Sequence, residues 1–181
     1  MNGFKTKLIQ YYLAKGREKK NKGFTLLELL IIVIVLGIIS AIAIPSLLGQ
    51  VAKAKETEAK QNIATFNKYQ QIYYLEKSRF TDNFNALAMG NLSGGTNSET
   101  KYYNYQLEQF DANVRIKIRA IPKELNLREY KGGIRRDVSA IGVPVIITLA
   151  CKNNDIGVSN LSISIVDGTC TNGEKLYGNG V

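Results

Sequence analysis

The sequence predicts an α+β fold: a long N-terminal α-helix, with a transmembrane half and an amphipathic half, packed on a roughly four-stranded antiparallel sheet. Three observations predict it. No charged residue occurs from Leu29 to Ala52, and nearly every side chain as far as Leu48 is aliphatic. The stretch from Lys53 to Lys77 has no Gly or Pro and sets apolar residues three and four apart. Beyond Thr100 the apolar period falls to two.

The apolar half comes first. Twenty helical residues span about 30 Å, the thickness of a bilayer's hydrocarbon core. In lipid the backbone must satisfy its own hydrogen bonds, so even this Ile- and Val-rich run is helical. The formal charge of +9 concentrates ahead of it. Residues 1–23 hold seven of the 24 basic residues and one of the 15 acidic ones, leaving 17 and 14 for the remainder. A basic tail beside an apolar run speaks for membrane topology rather than phosphate binding, and it places the N-terminus in the cytoplasm.

Two plain readings of this region present themselves. Ala41-Ile42-Ala43 has the small residues of a secretory cleavage site. A plain single-pass anchor for a periplasmic binding domain is the second. Glu28 argues against the plain anchor, because an intramembrane carboxylate costs roughly 2.5–3.5 kcal/mol on insertion scales and tends to mark function. Its bland explanation is a position at the headgroup level.

Lys22-Gly23-Phe24-Thr25-Leu26-Leu27-Glu28-Leu29, followed by an apolar run ending Ala43-Ile44-Pro45, resembles the N-terminal motif of type IV pilins and of type II secretion pseudopilins. The resemblance is close over residues 22 to about 50 and looser through residue 89. It implies a leader, 1–23, cut by prepilin peptidase between Gly23 and Phe24, with methylation of the new Phe24 amine. It implies that Glu28 serves assembly by facing the terminal amine of a neighbouring subunit. A buried carboxylate without a partner is heavily penalised and one facing an ammonium is not, so Glu28 would fix the stagger between subunits. Gly37 and Pro45 interrupt the apolar helix. Similarity to pilins suggests that this segment bends or partly melts in the filament; a harmless kink is the alternative.

Residues 24–50 then form the filament-core half of the helix and 51–181 the periplasmic, later extracellular, head. Ala52, Ala59, Ile63, Phe66 and Tyr73 make one apolar stripe over helix residues 51–79, and Glu56 with Lys60 is a favourable pair four apart. The helix should end near Lys77–Arg79, with Phe80, Phe84 and Leu87 covering its end in the loop 80–101. This region is similar to long-leader major pilins of type IVa kind from cyanobacteria.

Asn91–Thr100 is polar and reads as loop. In the sheet, 102–151, Tyr103, Tyr105 and Leu107 alternate with polar residues, as do Val114, Ile116 and Ile118 with Arg115, Lys117 and Arg119. Gln109–Ala112 suits the turn between them. A weaker strand falls near Tyr130–Arg136, and Val145–Cys151 suits a central or terminal strand. Cys151 and Cys170 bound a loop, 151–170, before a tail, 171–181. In an oxidising compartment they would pair, worth about 3 kcal/mol by the chain-entropy model; the resemblance to pilins points the same way.

With no His in the chain, the head offers no constellation for nucleophilic or acid–base catalysis. No enzymatic activity, cofactor or metal is expected, since two Cys alone give too few soft ligands. Arg115, Lys117 and Arg119 could touch DNA, but a solvated sheet face is the favoured account. The tyrosines read as helix–sheet packing. Asn91-Leu-Ser93 and Asn160-Leu-Ser162 match a glycosylation pattern.

The resemblance implies a major pilin, held in the inner membrane with its N-terminus cytoplasmic and then extruded into a surface fibre of like copies. Its partners would be prepilin peptidase and the pilus assembly platform with its ATPases, and the fibre's tasks adhesion, twitching motility and DNA uptake. A minor pilin or a pseudopilin is the nearest alternative.

Overall fold

A computed structural model describes residues 23–111, 114–139 and 141–178. The leader before Gly23 lies outside the described residues, as does Ala112. Two compact units divide between Ser46 and Leu47.

Helix α1, Leu26–Lys77, runs unbroken through Gly37 and Pro45. It closes where expected. Ser78 takes a left-handed φ of 56° while its N–H still reaches the Tyr74 carbonyl at 2.8 Å. In the first unit the aliphatic side chains of α1 are exposed. In the second, Ala59, Ile63 and Phe66 are buried, with Ala52 and Tyr73 packed at the margin. Phe80, Phe84 and Leu87 cover the helix end, the last two on the short α2, Phe84–Leu87.

Among the described residues the main sheet has six strands, not four: β1 (Asn97–Glu99), β2 (Tyr103–Asp111), β3 (Arg115–Pro122), β4 (Arg128–Val138), β5 (Pro144–Ile156) and β8 (Gly173–Gly178). They pair antiparallel in the order β1-β2-β3-β4-β5-β8. The two extra strands are its edges. Asn-Ser-Glu of β1 sits in the stretch expected as loop, and β8 in the expected tail. An edge strand needs no apolar alternation, so neither announces itself in the sequence. The expected turn at Gln109–Ala112 also shifts, because Gln109 still pairs with Ile116 and Asp111 with Arg115. β6 (Ser162–Ser164) and β7 (Thr169–Thr171) form a small ladder within the expected disulfide-bounded loop.

Two adjacent glycines in β4 let both faces of the sheet be covered. A Cβ on Gly132 would lie 2.2 Å from Ile63 Cγ2 of the helix. One on Gly133 would lie 2.2 Å from Ile165 Cδ1 of the C-terminal loop. Neighbouring residues of a strand face opposite ways, so helix and loop sandwich the sheet. On the helix side Tyr103, Tyr105, Ile116, Ile118, Tyr130 and Ile134 complete the core. On the other side Leu149, Cys151, Leu161, Ile163 and Ile165 form a second cluster. The Cys151–Cys170 disulfide, with Cα atoms 5.9 Å apart, ties that loop to β5.

Candidate functional site

The candidate assembly segment begins with Gly23, Phe24 and Thr25, which precede the helix. Thr25 is the helix cap: its Oγ1 accepts the Glu28 N–H at 3.2 Å and its carbonyl accepts the Leu29 N–H at 3.1 Å. Threonine followed three places later by glutamate is a capping-box signature. The sequence reading passed over Thr25, although this spacing was there to find it. Glu28 thereby occupies the first helical turn, where the unsatisfied N–H groups and the helix dipole favour a negative charge.

Among the described residues the large aliphatic side chains from Leu26 to Val51 are exposed, Leu26 and Ile42 being among the most open. Contiguous apolar surface on this scale marks a membrane or protein contact. Among the described residues α1 is the one helix long and apolar enough to cross a membrane. Nothing lies within 4 Å of the place where a Gly37 Cβ would stand. Gly37 and Pro45 therefore sit on the same open helix as Glu28, nine and 17 residues further on. The structure brings Cys151 and Cys170 together as a disulfide, well along the chain from this segment.

The head also buries polar groups that its apolar stripe does not announce. Glu56, expected to pair with Lys60, instead turns into the helix–sheet interface. Its carboxylate accepts the Tyr130 hydroxyl at 2.8 Å and the Arg128 N–H at 3.2 Å, with Arg128 Nη1 3.5 Å away. Asn62 donates to the Tyr105 hydroxyl at 2.8 Å and accepts from Asn91. Gln70 closes the helix end by exchanging hydrogen bonds with the backbone of Thr81, accepting at 3.1 Å and donating at 2.5 Å. Burial, reinforced by Glu56, pushes the Tyr103 and Tyr130 phenols up; burial alone does most of the same for Tyr105.

Two of the β3 side chains expected on a solvated face, Lys117 and Arg119, instead engage the C-terminal loop or its partners, which corrects that expectation. Lys117 Nζ donates to the Ile163 carbonyl at 2.9 Å, and Arg135 Nε to the Ile165 carbonyl at 3.1 Å. Arg119 pairs with Glu129, a fully buried carboxylate whose other oxygen accepts the Leu161 N–H at 3.3 Å. The loop partly covers these bases because its apolar residues need the sheet and its carbonyls need donors. Burial draws the Lys117 ammonium below the usual lysine range. Charge that looked available to an external anion is engaged within the chain, Lys117 and Arg135 by backbone carbonyls and Arg119 by the Glu129 carboxylate. Among the described residues no group of three or more His, Cys, Asp or Glu is placed to hold a metal ion.

A family profile for type IV pilin-like G and H proteins matches residues 56–171, and one for the prokaryotic N-terminal methylation motif matches residues 19–44. The chain is similar to the type IV major pilin protein PilA of Myxococcus xanthus, 43% identical over 63 residues, or 35% of this chain and 29% of that one. It is similar to the type II secretion system core protein G of Dickeya chrysanthemi, 32% identical over 63 residues, 35% of this chain and 41% of the relative. The type IV wide pilus major component PilA4 of Thermus thermophilus is 36% identical over 66 residues, 36% and 50% of the two chains. The matched part thus spans half or less of each of these relatives. No solved structure matches.

Proposed function

Because the chain belongs to the type IV pilin-like G and H family, we propose that it is the major structural subunit of a type IV pilus. The observation that carries this reading is an exposed aliphatic helix with one carboxylate in its first turn, inside the methylation-motif match. Prepilin peptidase cuts between Gly23 and Phe24 and methylates Phe24. The matured helix waits as a single inner-membrane span with the head on the periplasmic side. Assembly moves it from lipid into a bundle of identical helices, so its surroundings stay apolar throughout. Each Glu28 then meets the terminal ammonium of a neighbour's Phe24. That pair closes at one axial offset alone and sets the register of the fibre. The surface fibre supports adhesion and twitching motility, driven by the pilus platform and its ATPases.

The similarity to type II secretion core protein G favours a second reading, a subunit of a secretion pseudopilus. Shearing the cell surface separates the two. A major pilin dominates the sheared fibres by mass, and its deletion removes them. If deletion leaves the fibres intact but blocks protein secretion, the pseudopilin reading replaces the first.

A further inference from the structure

The second unit carries exposed apolar side chains at both ends of its sheet. At one end the β4–β5 hairpin displays Val138, Ile141, Val143 and Val145, with Ile141 85% exposed. Hydrogen bonds tie together the described residues of its tip. Ser139 N–H reaches the Val143 carbonyl at 2.8 Å, Gly142 N–H the Ser139 carbonyl at 2.8 Å, and Val143 N–H the Ser139 Oγ at 3.1 Å. Gly142 has the positive φ of 79° that such a turn requires.

At the other end Leu125, 85% exposed, stands with Ile156 and Val158. Gly157 joins these two loops. Its N–H donates to the Leu127 carbonyl at 3.1 Å, and a Cβ there would come 2.7 Å from the Leu125 carbonyl oxygen. The register fixes how far apart the patches lie. Arg128 pairs with Ile156 at one end and Val138 with Pro144 at the other. The ten residue steps of β4 between them span about 33 Å.

Neither patch can cover the other within one chain. A second copy supplies both covers at once, and the charges agree, with Arg136 exposed beside the hairpin and Asp155 beside the opposite patch. We propose that heads meet end to end, Val138, Ile141, Val143 and Val145 of one copy seated on Leu125, Ile156 and Val158 of the next. Two different patches make this contact heterologous, so it propagates into an open array instead of closing into a dimer. It rests on the filament reading and adds a head-to-head contact to the helix bundle.

Paired cysteines test it in fibres of the full chain, whose own two cysteines are locked in a disulfide. Ile141→Cys and Leu125→Cys replace well-exposed side chains, so folding is unaffected. Mild oxidation of fibres carrying both changes should give a ladder of linked multimers, while either change alone leaves monomers. Normal fibres without a ladder overturn the contact, and so do linked dimers from Ile141→Cys alone, which would mean like meeting like. Independently, Arg136→Asp or Asp155→Arg should each lower fibre yield several-fold and the combination should restore it; a combination no better than the worse single change also overturns it. If the unaltered chain forms no surface fibres, the filament reading falls and takes this contact with it.

Discussion

Glu28 and Glu56 are carboxylates on one helix with opposite circumstances. Glu28 has a backbone cap beneath it and no partner side chain among the described residues. If its partner is the Phe24 amine of a neighbour, Glu28→Gln should leave the precursor in the membrane at normal levels and abolish surface fibres. Immunoblots of sheared and membrane fractions check this, and abundant fibres from the variant would contradict it. Glu56 is already satisfied within its own chain by Tyr130 and Arg128. Removing one partner of a buried, hydrogen-bonded charge costs about 3–5 kcal/mol. Glu56→Ala should therefore lower the denaturation midpoint of the full chain in detergent steeply. Glu56→Gln, which keeps an acceptor for the tyrosine, should lower it less. Their contrast also explains what the sequence revealed. Glu28 drew attention because a charge breaks an aliphatic run. Glu56 lies one turn before Lys60 in a stretch full of charges, and nothing local says that it faces Tyr130, 74 residues away.

At the scale of elements, α1 was readable along its whole length. Its apolar half follows from composition, its core stripe from the three-and-four spacing of Ala59, Ile63 and Phe66, and its end from Phe80 and Phe84. Strands β2 and β3 declared themselves through Tyr103-Asn-Tyr-Gln-Leu107 and Ile116-Lys-Ile118. Strand β4 looked weak because Lys131-Gly-Gly-Ile134 lacks the side chains that favour strands. The structure places it centrally for the same reason: its glycines admit Ile63 on one face and Ile165 on the other. Gly132→Ala should push a methyl group into Ile63 and cost about 1–3 kcal/mol as an overpacked core. Thermal unfolding of the variant checks this, and Ile63→Ala combined with it should recover part of the loss. The cover over β3 was invisible because it depends on tertiary contact. Lys117 and Arg119 alternate with apolar residues as a wet face does until Leu161, Ile163 and Ile165 arrive from elsewhere in the chain.

For the whole molecule, the two units have different demands. The first presents large apolar side chains that are exposed along its helix, a surface that gains from apolar surroundings. The second is covered on both sheet faces and pinned by the disulfide. Its core includes Tyr103, Tyr105 and Tyr130, whose phenols are held above the ordinary value near 10 chiefly by burial. Raised phenol values in the folded state mean that their stabilisation is full below about pH 10 and is lost as pH climbs from there toward the folded values. The melting temperature of the head should accordingly fall steadily above pH 10, with phenolate absorbance appearing together with unfolding. Early titration of all three phenols in the folded chain would refute this. The central claim, one helix used first in lipid and then in a fibre, is tested most directly by the mass of the mature subunit from sheared surface fibres. The account predicts a chain beginning at N-methylated Phe24 with the Cys151–Cys170 bond intact. A chain still beginning at Met1 and found as a monomer in the membrane would contradict it.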